Sequence, residues 1–244
     1  MKKYCLVTTY YCNNCGEPNK EFLKSKFNYD GELEDIYVNF SNKFLHNDFS
    51  IIPNVGITKR KDLVYGKIFL LKEYVETNIL NKYEYICHID FSDTKFNSSY
   101  LEMMKKFEAT NEDIVISTEK TIWPFIDELR KWTSEPLEEK EFTYLNSGAI
   151  IAKTDFFYKI LCELIDICLT QNIDFWDDQG VWQYYDLLVS KLNKDYNCEY
   201  FFSTALLDDS YYILEEKKIK TKFNTIPFLI HDNSSFSLNL INMI

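Results

Sequence analysis

The sequence predicts an α/β sandwich with a mostly parallel central sheet flanked by helices. Three observations predict it. Short apolar or β-branched runs alternate with segments of helical period along the chain. Acidic motifs stand where such runs end. A content of 46% hydrophobic and 17% aromatic residues is ample for a core. In sheets of this kind ligands bind beyond the carboxyl ends of the strands.

The elements follow in chain order. Strands are expected over residues 4–9, 35–40, 49–55, 83–89, 113–117, 143–152, 197–202 and 226–230, most of them apolar runs closed by polar residues. The first apolar run, around Leu6 and Val7, is far too short for a signal core or a membrane span. A helix over 60–77 places Val64, Ile68, Leu71 and Val75 on one face. A second, over 155–170, groups Phe157, Leu161, Leu164 and Cys168, with Thr154 available as N-cap. A third, from about 178 to 192, carries Val181, Tyr184, Tyr185 and Leu188.

Length, charge and cysteine content narrow the class. A chain of 244 residues without repeats or a Pro- or Gly-rich linker fits one compact domain. The net charge of −11 argues against a nucleic-acid partner, whose phosphates demand clustered Lys and Arg. Lys59-Arg60-Lys61 and Glu215-Glu216-Lys217-Lys218 read as solvated faces. Seven cysteines, an odd number, and no leader point to a reducing, cytoplasmic setting. Cys12 and Cys15 have the spacing of half a zinc site, but no second pair follows and His46 is isolated, so they read as a polar loop.

Several motifs could carry chemistry. Residues 83–89 run straight into Asp90-Phe91-Ser92-Asp93, which puts two carboxylates on one turn at a strand end. Such a pair suits a hard divalent cation that neutralises a leaving diphosphate, or simply caps the turn. Asp177-Asp178-Gln179 opens a helix, so these acids either cap it or serve an acceptor hydroxyl or a positively charged sugar ring. His231 follows the apolar run 226–230 and is either a structural histidine or the third ligand of a metal site. Asn146-Ser147-Gly148 interrupts an apolar strand, where glycine marks a bulge or a close approach by ligand or backbone, and asparagine can meet sugar hydroxyls. Trp123-Pro124 offers an aromatic that either closes over a ligand or belongs to the core.

Taken together, these motifs resemble a known family, the glycosyltransferase domain of procollagen lysyl hydroxylases, of GT-A type. The most specific match is Tyr144-Leu145-Asn146-Ser147-Gly148. Trp123-Pro124 follows the acidic motif at the family's spacing, Asp177-Asp178-Gln179 matches the end of its poly-aspartate run, and Asp195 with Tyr200-Phe201-Phe202 matches a later segment. The resemblance implies a GT-A-like Rossmann-type fold in a single domain over 1–244, with a donor-binding part about 1–125 and an acceptor-side part about 126–244. It implies a UDP-sugar donor, manganese (magnesium as the alternative) held by Asp90, Asp93 and His231, and Thr8 and Lys67 beside the diphosphate. Ser92, Trp123, Asn146 and Gly148 fall among the donor-binding positions, and Asp177 and Asp178 among the catalytic ones. The pattern is broken at Ser92, where many members carry a stacking Tyr, and at Asp232 and Ser234, where they carry Gly.

The expected activity is metal-dependent transfer of a hexose, glucose or galactose, from a UDP-sugar to a hydroxyl of a glycan, protein or small molecule. The alternatives are an inactive GT-A-like module that binds a glycan or a protein, and, behind it, a metal-dependent phosphate hydrolase. No nucleic acid and no membrane span are expected.

Overall fold

The computed structural model describes residues 1–11, 17–41, 59–122, 141–171, 175, 177–233, 240–242 and 244. The expected strand 49–55, Cys12, Cys15, His46, Trp123, Pro124 and Ser234 lie outside them.

A five-stranded sheet forms the centre. Its strands are β1 (Lys2–Tyr11), β2 (Ile36–Ser41), β3 (Tyr83–Asp90), β5 (Ile114–Glu119) and β6 (Tyr144–Lys153), in the order β2-β1-β3-β6-β5. β1 runs parallel to β2 and β3, whereas β6 is antiparallel to both its neighbours, so four strands share one direction. Cys5, Leu6 and Val7 are all fully buried, as expected for a strand covered on both faces.

Alternate residues of these strands feed two cores. On one face Val7, Ile86, Ile116 and Ile150 pack against α2 (Lys59–Asn78), α4 (Thr154–Thr170) and α5 (Asp178–Leu188). On the other, Leu6, Cys87, Ile89 and Ile151 meet α1 (Lys20–Phe27) and α3 (Tyr100–Thr110). The result is a three-layer α/β sandwich, as the sequence predicts.

A smaller sheet extends this frame toward the strand ends. It consists of β4 (Thr94–Phe96), β10 (Leu229–His231) and β7 (Phe201–Ser203), in the order β4-β10-β7. β10 is antiparallel to β4 and pairs His231 with Thr94, next to Asp93. A hairpin of β8 (Tyr212–Glu215) and β9 (Lys218–Thr221) turns through Glu216 and Lys217, both at positive φ, so the charge run lies on its turn.

Other local expectations are corrected. Thr154 is the first residue of α4 and is buried, while Lys153 holds the cap position without a side-chain bond. α5 ends at Leu188, whose side chain is 52% exposed rather than on the buried face. α1, α3, β4 and the β8–β9 hairpin escaped the sequence reading. They are short, and their stability comes from tertiary packing rather than from strong local periodicity.

Asp195 ties the two sheets together. Its N–H donates to the Ile116 carbonyl of β5, and its carboxylate accepts the N–H groups of Glu199, Tyr200 and Phe201 at 2.7–2.8 Å. Burial pushes this carboxyl up to about 6, against the pull of the three backbone donors. Because that folded-state value lies above the ordinary one, the group's contribution to stability is full below about pH 4. It falls by up to about 3 kcal/mol as pH rises through about 6. Urea unfolding across this range should therefore show the stability of the wild type falling relative to Asp195→Asn, and a constant difference would refute the assignment.

Candidate active site

The acids at the carboxyl end of β3 meet a histidine nearly 140 positions later in the chain. Asp90 is the last residue of β3, and Asp93 sits in the turn before β4. Pairing of β10 with β4 brings His231 alongside, and the Asp232 N–H donates to the Asp93 carbonyl at 2.7 Å. His231 Nε2 lies 3.5 Å from Asp93 Oδ1 and 3.9 Å from Asp90 Oδ2. One donor atom from each of the three residues falls within 4.8 Å of the others.

A cation fits this set. Ligands about 2.0–2.2 Å from a common ion stand about 3 to 4 Å apart, which matches the two histidine–carboxylate distances. His231 Nε2 and Asp93 Oδ1 are both buried and lack a hydrogen-bond partner, a costly state that a shared cation would relieve. Burial opposes charge on both residues. The Asp93 and Asp90 carboxylates nevertheless hold the His231 imidazole above its ordinary pKa, and His231, Ser92 and Lys67 hold the Asp93 carboxyl below its own.

The interruption in β6 makes room for the imidazole. Ile116 pairs with Ile150 and the next residue, Ser117, with Asn146, so Ser147, Gly148 and Ala149 leave the ladder with β5. A Cβ on Gly148 would stand 2.1 Å from His231 Cε1. The bulge read from the sequence occurs here, and what comes close to the glycine is a side chain, His231, rather than a ligand or another backbone. Asn146 Oδ1 accepts the Gly148 N–H at 3.0 Å and lies 2.9 Å from His231 Nδ1.

Behind this pair stands a residue the sequence reading missed. Glu119, the last residue of β5, is buried and receives the side-chain amides of Asn146 (3.1 Å), Asn233 (3.0 Å) and Gln179. Burial raises its pKa, partly offset by those three donors. Its position at the end of a strand in an α/β sheet was the one available signal, and the polar Thr118-Glu119-Lys120 around it concealed that signal.

On the opposite wall, Lys67 of α2 bridges two acids. Its Nζ lies 2.7 Å from Asp90 Oδ1 and 3.1 Å from Asp178 Oδ2. Asp178 also accepts the Ser147 hydroxyl at 3.0 Å. The two residues of the Asp177-Asp178 pair thus differ. Asp177 is the N-cap of α5 and accepts the Gly180 N–H at 2.9 Å, whereas Asp178 turns its carboxylate to Lys67 and Ser147.

These side chains surround a cleft of about 470 Å³. Lys67, Asp90, Asp93, Asn146, Gly148 and His231 line it, as do Asp177 and Asp178. Of the other expected site residues, Thr8 is fully buried in β1 and Ser92 is exposed on the turn, its carbonyl accepting from Lys26 at 3.1 Å; neither is among the described lining residues. Asp232, where the resembled family carries Gly, points away from the cation set. It is buried, and its carboxylate accepts the Thr204 hydroxyl at 2.7 Å.

This fold and cleft define a GT-A-type glycosyltransferase. Mouse xyloside xylosyltransferase 1 superposes with a TM-score of 0.56 at 12% identity, over 95% of this chain and 98% of that one. The bifunctional glycosyltransferase WbbM gives 0.56 at 13% identity, over 97% of this chain and 46% of that one. The galactosyltransferase LgtC, solved with donor and acceptor sugar analogues, gives 0.54 at 12% identity, over 98% and 93%. At these identities the likeness is one of fold. The chain itself belongs to the PLOD GT domain family, the lysyl hydroxylase glycosyltransferases, which matches residues 64–244. No curated protein matches by sequence.

The Gly148–His231 contact can be tested directly. Gly148→Ala should displace the imidazole and weaken divalent-cation binding roughly 10-fold or more in calorimetry, with a stability loss of about 1–3 kcal/mol. Unchanged cation affinity would show that the ring has no need of this space.

Proposed function

We propose that this chain transfers a hexose, glucose or galactose, from a UDP-sugar to a hydroxyl acceptor with the help of manganese, magnesium being the alternative ion. The observation that carries the reading is the convergence of Asp90, Asp93 and His231 beside Lys67 and Asp178 in one cleft. The acceptor class is a glycan, a protein or a small molecule, and the setting a reducing, cytoplasmic one.

Asp90, Asp93 and His231 would hold the ion, which when bound supplies a Lewis acid for the departing diphosphate. Lys67, already beside Asp90, is placed to exchange part of its ion pairing for a phosphate oxygen and so neutralise the leaving group. Asp178, oriented by Ser147, faces the acceptor side. There its carboxylate can receive the hydroxyl proton or steady the positive charge that develops on the sugar ring. Asn146 and Gly148 act on the donor side chiefly through His231. Thr8, Ser92 and Trp123 are assigned to the donor side by the resemblance alone, Trp123 as an aromatic that closes over the sugar nucleotide. Ile122, Ala205 and Leu206 add an apolar wall, which favours exclusion of water during transfer.

Incubation with UDP-glucose or UDP-galactose should release UDP in a manganese-dependent manner, slowly to water and faster with acceptor. In Asp93→Ala that release should fall about 100-fold or more, together with manganese-dependent UDP binding. Equal binding and release by the two proteins would refute the reading and favour a binding module. The two helix-opening acids should also separate. Asp177→Ala should cost about 1 kcal/mol of stability through the lost cap. Asp178→Asn should instead lower transfer about 100-fold with its melting temperature nearly unchanged.

A further inference from the structure

Three carboxamides around Glu119 share one arrangement. In Asn146, Gln179 and Asn233 the amide nitrogen donates to the Glu119 carboxylate. In each the amide oxygen accepts a backbone N–H, from Gly148 (3.0 Å), Ser147 (3.2 Å) and Ala205 (3.0 Å) respectively. A backbone N–H can only donate and an ionised carboxylate can only accept, so the orientation of every amide is determined at both ends.

For Asn146 this has a chemical consequence. Its oxygen also faces His231 Nδ1 at 2.9 Å, and an oxygen so placed demands a proton on that nitrogen. When neutral, His231 would thereby be held as the Nδ1–H tautomer, with the Nε2 lone pair toward Asp90 and Asp93. Were the amide reversed, its NH₂ would oppose both the Gly148 N–H and an Nδ1–H, and the free tautomer would aim its lone pair away from the acids.

We propose that Glu119 is a positioning residue of the cation site. Acting through Asn146, it fixes the tautomer and the ring orientation of His231, so that Nε2 is the ligand atom. Gln179 and Asn233 anchor Glu119 rather than the imidazole. This inference rests on the cation-site reading above. It reassigns Asn146 from a sugar-contacting residue to one that orients the ligand histidine, a kind of support whose loss weakens metal sites 10- to 100-fold.

The test combines two readouts on the whole protein, with Mn²⁺ alone as the calorimetric probe and no nucleotide present. At alkaline pH, where the imidazole is neutral, long-range ¹H–¹⁵N spectra should show His231 of the wild type as the Nδ1–H tautomer. Asn146→Ala should give a tautomer mixture and roughly 10- to 100-fold weaker Mn²⁺ binding. Glu119→Leu, which offers Asn146 no acceptor, should shift the tautomer the same way. A mere loss of negative charge would weaken Mn²⁺ without moving the tautomer. Asn233→Ala, which removes one donor to Glu119 but leaves the relay, should keep the tautomer and bind Mn²⁺ within about 3-fold of the wild type; this separates positioning from general damage to the fold. An unchanged tautomer and unchanged Mn²⁺ affinity in Asn146→Ala and Glu119→Leu would overturn the relay while leaving the cation site in place. Absence of Mn²⁺ binding by the wild type would instead sink the cation-site reading and the inference with it.

Discussion

A carboxylate buried at the end of a strand has to be met by donors, and around Glu119, the last residue of β5, that requirement organises the whole cleft. Its three amide partners come from the broken stretch of β6, from the first turn of α5 and from the segment after β10. Each of these elements sends one side chain to the same charge. An unmet carboxylate here would cost several kcal/mol, so the sheet, the helix and the small sheet cannot separate without paying that penalty. The same constraint holds the imidazole of His231 over Gly148.

Charge balance governs the outer part of the cleft. Asp90, Asp93 and Asp178 crowd into a small volume, and Lys67 with His231 offsets only part of their charge. Lys67 links the end of β3 to the first turn of α5 through ion pairs with both Asp90 and Asp178, and its side chain is only 14% exposed. In a partly dry site such pairs are felt more strongly than at the surface.

The departures from the family pattern take on definite meanings in three dimensions. Asp232 replaces a glycine, but its side chain turns inward to Thr204 while its backbone N–H supports Asp93, so it acts as a staple for the acidic turn. Ser92 stands exposed between the two acids, and beside it Phe91 packs on Tyr10 with ring centroids 3.9 Å apart. The turn is therefore held by an aromatic contact next to the position where many relatives carry tyrosine.

The central strands, the three longer helices and the acidic motifs at strand ends were legible in the sequence, because each is specified by neighbours within one element. Apolar runs such as Cys5-Leu6-Val7 are buried wherever they lie, and Asp90 at the end of such a run has to emerge at a strand end. The different surroundings of Asp177 and Asp178 were not legible, since both occupy the same helix opening and differ only in what faces them. Nor was the role of Glu119, Gln179 and Asn233, which are ordinary polar residues until three distant segments meet. Local periodicity fixes which residues are inside; only the tertiary structure decides which buried polar groups must satisfy one another, because hydrogen bonds depend on angstrom-scale proximity that chain spacing does not encode.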